Sequence, residues 1–331
     1  MDDFCRANLP AIEDSPIFNF ELPGLRFPTM PSCTDALLDA AIEKHRWSHR
    51  VAIQSESNLA RSYCELRDVS NWIANILVHD ASLVAGNRVL SHWSNLPMLI
   101  VAWFGVFKAR AMACHDDATN SFRKVTIKVR LARISHTLCE DALSTELEVA
   151  LKCMPEGNHM RFDETDGAHL YDRLLSKYWG MFETIETRED DPYVISFTSG
   201  TSGEPKAAVH FHRNVIAICH CFPRHVPKPT ADDVFCGSPP LALTFGFCVL
   251  LLFPISVGLS VIPPPRASPE RALIAVARYR VSILLTAPVA YWIMLGRPDD
   301  HDVSSLRKCV PAGMCCRCRR AIRGISEPIS C

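Results

Sequence analysis

Apolar residues recur along this chain in two patterns, at every third or fourth position in some stretches and in short unbroken runs in others. In "DALLDAAIEKH", which follows Thr34 as a candidate N-cap, Leu37, Leu38, Ala41 and Ile42 fall on one face of a helix. From Ser62, "SYCELRDVSNWIANILV" places Leu66, Val69, Trp72, Ile73, Ile76 and Leu77 at steps of three and four, a core-facing stripe that assigns Trp72 to packing. After a turn at Ala85-Gly86-Asn87, "RVLSHW" and "MLIVAWFGVFKA" predict a strand and then a buried helix. Downstream, "YVISF", "AAVHFH" and, from Val281, "VSILLTAP" predict strands, with a helix over "NVIAICHCF" opening after His212. Strands alternating with helices indicate βαβ units and a parallel sheet, hence an α/β fold.

Residues 111 to 128, "AMACHDDATNSFRKVTIK", follow neither period and are expected to be loop or irregular structure. "LARISHTLCEDAL" from Leu131 resumes a short strand-like run. Residues 145 to 190 mix helical pattern with acidic turns ending in "ETREDD", which places a lobe boundary near Asp190, between lobes 1–190 and 191–331. The stretch Leu241 to Ile262 has no charge over a length that could span a bilayer. Gly246, Pro254 and Gly258 divide it, and no Lys or Arg cluster marks a cytoplasmic side, so a buried helix ending near Pro254 and then a buried strand "GLSVI" are expected, with no membrane span.

Composition narrows the partners. A chain of 331 residues suits one large two-lobed domain or two domains, and 35 Lys plus Arg against 36 Asp plus Glu leave no basic excess for nucleic acid. Fifteen cysteines without regular spacing resemble the scattered thiols of an intracellular protein. The opening "MDDFCRANLP" lacks a basic segment followed by an apolar core, so no signal peptide is read and the cytoplasm is the expected compartment.

The candidate chemistry sits in "YVISFTSGTSGEPKAAVHFHRN", where Thr198-Ser199-Gly200-Thr201-Ser202-Gly203 separate two strand-like runs and Glu204-Pro205-Lys206 open the second. Gly200 and Gly203 permit positive φ and close approach of a ligand to the backbone. Successive backbone N–H groups converge on an anion in such a loop, four hydroxyls add donors, and Lys206 supplies a compact positive charge. Shape and charge suit a polyphosphate. The loop is not a Walker A motif, because Pro205 precedes Lys206 and Ala207 follows it, and a Ser/Gly linker seldom joins two apolar strands with Pro-Lys at one end.

At these residues the chain resembles the AMP-binding, acyl-adenylate-forming superfamily of acyl-CoA ligases, adenylation domains and luciferases, whose signature reads close to TSG-[ST]-TG-x-PKG. "TSGTSGEPKA" departs from it at Ser202, which keeps a hydroxyl, and at Ala207, which adds a methyl. "FHRNVIAICHCFPRHV", "DDVFCGSPPLALTFGF", "SPERALIAVARYRVSILLTAP" and "SSLRKCVPAG" resemble the benzoate and 2-aminobenzoate CoA ligase branch, as do "SYCEL", "GNRVL" and "WFGVFKA" earlier in the chain. Around 111 to 128 the likeness is poorest, with Arg110-Ala111 where Gly-Gly is usual.

The resemblance implies a two-lobed, parallel-sheet N-terminal domain with the ATP phosphate loop on the second lobe. It implies ATP, Mg2+ and CoA as cofactors, and a small carboxylic acid as substrate. Thr198, Ser199, Gly200, Thr201, Ser202, Gly203 and Lys206 carry over to the phosphates. Phe245 and Gly246, in "LTFGF", and Ala312 and Gly313 carry over to the acid pocket, with Met314 where an acidic residue is common and core packing an equal role for Phe245.

The family's later motifs for magnesium, ribose and the lysine-bearing C-terminal domain have no counterpart here. A truncated and incomplete second lobe is therefore expected, with poor solubility or dependence on a partner such as a full-length relative or pathway enzyme. Two functions follow: an acyl-CoA ligase, or an inactive remnant that binds nucleotide or a protein. His210 and His212 are expected in surface or capping roles. No metal site is assigned, since Cys315, Cys316 and Cys318 lack further ligands at zinc spacing, and Arg317, Arg319, Arg320 and Arg323 suit a solvated helix face.

Overall fold

The structure, a computed structural model, describes residues 1–15, 32–56, 59–117, 120–152, 157–162, 181–199, 205–266, 268–296 and 301–312. Its strands begin with β1 (Val51–Gln54) and β2 (Ala60–Ser62). Then come β3 (Arg88–Trp93), β4 (Met112–Asp117), β5 (His136–Glu140), β6 (Asn158–Phe162), β7 (Pro192–Ser199) and β8 (Pro205–Phe211). The last are β9 (Val234–Gly237), β10 (Ser260–Ile262), β11 (Ile283–Thr286) and β12 (Lys308–Pro311). They form two six-stranded sheets, in the orders β6-β5-β3-β4-β7-β8 and β12-β11-β9-β10-β1-β2. Parallel pairs dominate, and β1–β2 and β7–β8 are antiparallel hairpins. The α/β fold predicted from the alternating pattern is the one observed.

The sheets belong to two compact units that interleave along the chain. Unit 1 takes Met1–Ala36, Asp68–His92 and Val101–Cys221, and unit 2 takes Leu37–Arg67, Trp93–Ile100 and Phe222–Cys331. The last division between the units thus runs between Cys221 and Phe222 rather than at Asp190, because β7 pairs in parallel with β4 and draws β8 with it into unit 1. The acidic turn at the expected boundary is itself structured: Asp191 accepts the Arg188 N–H at 2.9 Å and the Arg110 guanidinium at 2.7 Å.

In unit 1 the helices Phe122–Leu131 and Ser144–Leu151 pack Val125, Val129, Leu147 and Leu151 against Leu90, Met112, Cys139 and Ile195 of the sheet. In unit 2, Ala272, Leu273, Ala275 and Val276 of the helix Pro269–Tyr279 cover Cys236, Ile262 and Leu284. Ser268 caps that helix, accepting the Arg271 N–H at 3.2 Å, and Pro269 occupies the first turn, where its missing N–H costs nothing.

The helical stripes predicted from spacing are also present. Leu66, Val69, Trp72, Ile73, Ile76 and Leu77 are all buried, on a helix opened by a reciprocal cap between Ser62 and Glu65. Leu37, Leu38, Ala41 and Ile42 are buried as well. Their helix, however, starts at Cys33, with Ser32 Oγ accepting the Asp35 N–H at 3.4 Å, so Thr34 is inside it and is not the cap.

Two segments depart further from the pattern. Residues 111 to 128, expected to be irregular, contain β4 and most of the helix Phe122–Leu131. The polar residues that broke the period, His115, Asp116 and Lys128, are buried. The uncharged stretch continues helical past Pro254 to Ser256, since a wide π-type turn at Cys248–Leu252 absorbs the carbonyl that the proline ring would otherwise strike, and β10 follows. No helix among the described residues is long and apolar enough to cross a membrane.

Candidate functional site

The glycine loop is closed by the β7–β8 hairpin, whose register sets Ser199 against Pro205 and Thr198 against Lys206. Directly opposed residues of an antiparallel pair project from the same face, so the Thr198 hydroxyl and the Lys206 ammonium stand together at the loop's mouth. Both residues are exposed, and Lys206 has no ion-pair partner among the described residues. Gly200, Thr201, Ser202 and Gly203 lie outside the described residues. The strand entering the loop is fixed from below: the Tyr193 ring stacks on Phe107 at 3.8 Å between centroids and meets His212 edge-on at 4.5 Å.

His212, expected in a surface or capping role, is buried, and its Nδ1 accepts at 3.1 Å the N–H of Cys33, the first residue of the helix that carries Leu37 and Leu38. Burial pulls its pKa down to about 4, so the ring is neutral at pH 7 and its role is packing. His210 is also shifted down by burial.

In unit 2 the carboxyl ends of the parallel strands gather a second set of groups. Ser238 follows β9, Thr286 ends β11 and Ala312 follows β12; the Ser238 and Thr286 hydroxyls share a hydrogen bond, and the Ala312 N–H donates to the Thr286 carbonyl at 3.1 Å. The chain leaves β9 toward β10 on one side and returns through β11 on the other, so this edge is a switch point of the kind where open α/β sheets bind ligands. Ser238 and Thr286 were missed in the sequence. The signal was present as a hydroxyl ending a strand shortly before proline, in "FCGSPP" and "ILLTAP". Gly313 lies outside the described residues.

Phe245 is half-buried and Gly246 buried, both in the helical turn Thr244–Phe247. A Cβ on Gly246 would stand 1.8 Å from the Pro240 carbonyl oxygen. That carbonyl belongs to a turn held by Asn95, whose Nδ2 donates to Pro239 O at 3.3 Å and whose Oδ1 accepts the Leu241 N–H at 2.6 Å. The obstacle is therefore fixed backbone. Gly246→Ala is expected to cost about 1–3 kcal/mol of stability, visible as a lower urea midpoint, and an unchanged midpoint would refute the close approach.

Unit 1 has its own switch point between β3 and β4, occupied by a polar cluster with no counterpart in the sequence reading. His92 Nδ1–H donates to Asp116 Oδ2 at 2.6 Å, Lys128 Nζ to Asp116 Oδ1 at 2.5 Å, and Asn120 Nδ2 to the same oxygen at 3.0 Å. Burial would raise the Asp116 pKa, but these donors hold it below the usual carboxylate range. Among the described residues no group of three or more His, Cys, Asp or Glu side chains is placed to hold a metal ion.

The fold and the hairpin register agree with a match between residues 39–321 and the family model for AMP-binding enzyme. The chain belongs to the AMP-binding enzyme family. Within this family it is 34% identical over 315 residues to acyl-CoA ligase SID4 of Ajellomyces capsulatus, covering 86% of this chain and 52% of that one. It is 30% identical over 143 residues to benzoate–CoA ligase of Thauera aromatica, covering 42% of this chain and 27% of that one. Among solved structures, the anthranilate CoA ligase AuaEII in complex with anthranoyl-AMP superposes with a TM-score of 0.79 at 20% identity, over 87% of this chain and 56% of that chain. The chain spans about half the length, or less, of these relatives.

Proposed function

We propose that this chain supplies the phosphate-binding and acid-binding parts of an AMP-forming carboxylic acid–CoA ligase acting on an aromatic or biosynthetic-pathway acid. The observation that carries the reading is the register of the β7–β8 hairpin, which opposes Lys206 to Thr198 across a loop of glycines and hydroxyls. The branch likeness to benzoate–CoA ligase supports an aromatic acid.

In the reaction, an acid oxygen attacks the α-phosphorus of ATP, the bond to the β-phosphate oxygen breaks, and pyrophosphate leaves with that electron pair. The thiol sulfur of CoA then bonds to the acyl carbon, its proton is lost to solvent, and AMP departs. Both attacking and attacked groups are anionic, so the protein's task is to neutralise charge and hold the groups in line. Lys206 and the N–H groups of Gly200 to Gly203 hold the β- and γ-phosphates, with Thr201 and Ser202 as hydroxyl donors. Phe245, Gly246, Ala312 and Gly313 border the acid. Mg2+ would add positive charge at the phosphates, and no residue of this chain is assigned to it or to CoA.

The reading is tested by calorimetry of Mg-ATP binding to the purified chain, followed by pyrophosphate release with benzoate or 2-aminobenzoate, and by the same assays on Ser202→Ala. Binding weakened in the variant together with acid-dependent release supports a ligase. Binding without release reduces the function to nucleotide binding, and no binding sinks both.

A further inference from the structure

Unit 2 carries a second concave site that the ligase reading leaves unused. At the amino ends of β1, β9 and β10, a cleft of about 530 Å3 is lined by Arg50, Arg224 and Lys228 over an apolar wall that includes Val257 and Leu259. Ser238, Thr286 and Ala312 stand at the opposite, carboxyl edge of the same sheet. At about 3.3 Å per residue, the length of β9 alone separates the two edges by about 13 Å.

Three cations converge here and no carboxylate lines the cleft. Arg224 and Lys228 are exposed, and neither is ion-paired among the described residues. Arg50 spends a donor on the Ala231 carbonyl, which ties it to the turn that carries Lys228. Asp233, the acid beside that turn, is already committed: it accepts the Thr230 N–H at 2.6 Å, the Ser282 hydroxyl at 2.6 Å and the Arg307 guanidinium. Like charges gathered against an apolar wall repel one another unless an anion joins them.

The backbone adds an independent sign. Lys228 has φ +44° although it precedes Pro229, and it is the one residue before a proline with positive φ among the described residues. A residue in that position is biased toward extended backbone, and such outliers concentrate at ligand clamps. The Lys228 N–H donates to the Pro223 carbonyl at 2.9 Å, which holds the strained conformation in place.

We propose that this cleft binds the phosphate group of a small ligand with an apolar body, at a site separate from the candidate reaction edge. Arg50, Arg224 and Lys228 meet the phosphate, and the wall at Val257 and Leu259 meets the apolar part. A soluble phosphoester and a lipid headgroup present the same chemistry.

The probe is inorganic phosphate, followed by 31P line broadening on the full chain, on Arg224→Gln/Lys228→Gln and on Lys206→Ala. Loss of a charged hydrogen bond weakens binding roughly tenfold, so broadening should collapse in the double variant and persist in Lys206→Ala. Both substitutions are at exposed positions and should leave Tm unchanged; if the pair lowers it, the single variants Arg224→Gln and Lys228→Gln give the same reading. Broadening that is absent, survives the double variant, or disappears with Lys206→Ala alone overturns the proposal. Sedimentation with phosphatidylcholine vesicles, with and without phosphatidic acid, separates the sources. Co-sedimentation that needs Arg224 and Lys228 assigns a headgroup, phosphate binding without it assigns a soluble ester, and either upholds the site.

Discussion

Asp116→Ala should lower the stability of this chain by about 3–5 kcal/mol, because it strands the Lys128 ammonium in the interior of unit 1. Asp116 is fully buried and takes hydrogen bonds from His92, Lys128 and Asn120. Lys128 is itself largely buried, with Phe197 as its aromatic neighbour at 5.3 Å. The double variant Asp116→Ala/Lys128→Met should recover much of the loss, since removing both charges removes the uncompensated one. Urea unfolding followed by circular dichroism measures all three proteins, and a single-variant loss below about 1 kcal/mol would mean that the cluster is solvated. The sign with pH follows from the depressed Asp116 pKa. Its contribution is present above the unfolded carboxylate pKa of about 3.9 and is lost as pH falls through the lower folded value.

Lys206→Ala should reduce acid-dependent pyrophosphate release by about 100- to 1,000-fold, the loss expected when one preorganised charge donor is removed from a transition state. The same change should leave stability within about 0.5 kcal/mol, because Lys206 is exposed on the edge strand β8. That contrast makes the experiment informative. Lys206→Arg keeps the charge but replaces a compact ammonium with a planar fork, and should recover only part of the rate. A rate unchanged in Lys206→Ala would remove the residue from the phosphate site, and a parallel loss of rate and Tm would make its role structural.

The hairpin strands and the helical stripes were legible because each depends on neighbours a few positions apart. Thr198 and Lys206 are linked by a short loop, and Leu66, Val69, Trp72 and Ile73 follow one another at helical steps. What stayed hidden depends on distant partners. β4 looked irregular because "CHDD" puts polar groups on a strand, and only the fold reveals that His92 and Lys128 satisfy Asp116 there. Gly246 reads as a pocket residue by likeness, while the carbonyl 1.8 Å from its absent Cβ comes from a turn pinned by Asn95, far away in sequence. The placement of β7 and β8 likewise follows from pairing with β4 across some 80 residues.

The interleaving of the units sets the order in which this protein can be made. β1 and β2 come early in the chain, but β1 pairs with β10, Ile53 against Val261, and β10 begins only about 200 residues after β2 ends. At about 5–20 residues per second, the β1–β2 hairpin waits roughly 10–40 s for its partner strand. During that time Ala52 and Ile53, fully buried at the end, face solvent or a chaperone. Synthesis must therefore pass β12 before the sheet of unit 2 can close, and in vivo yield should depend on the holdase capacity of the host.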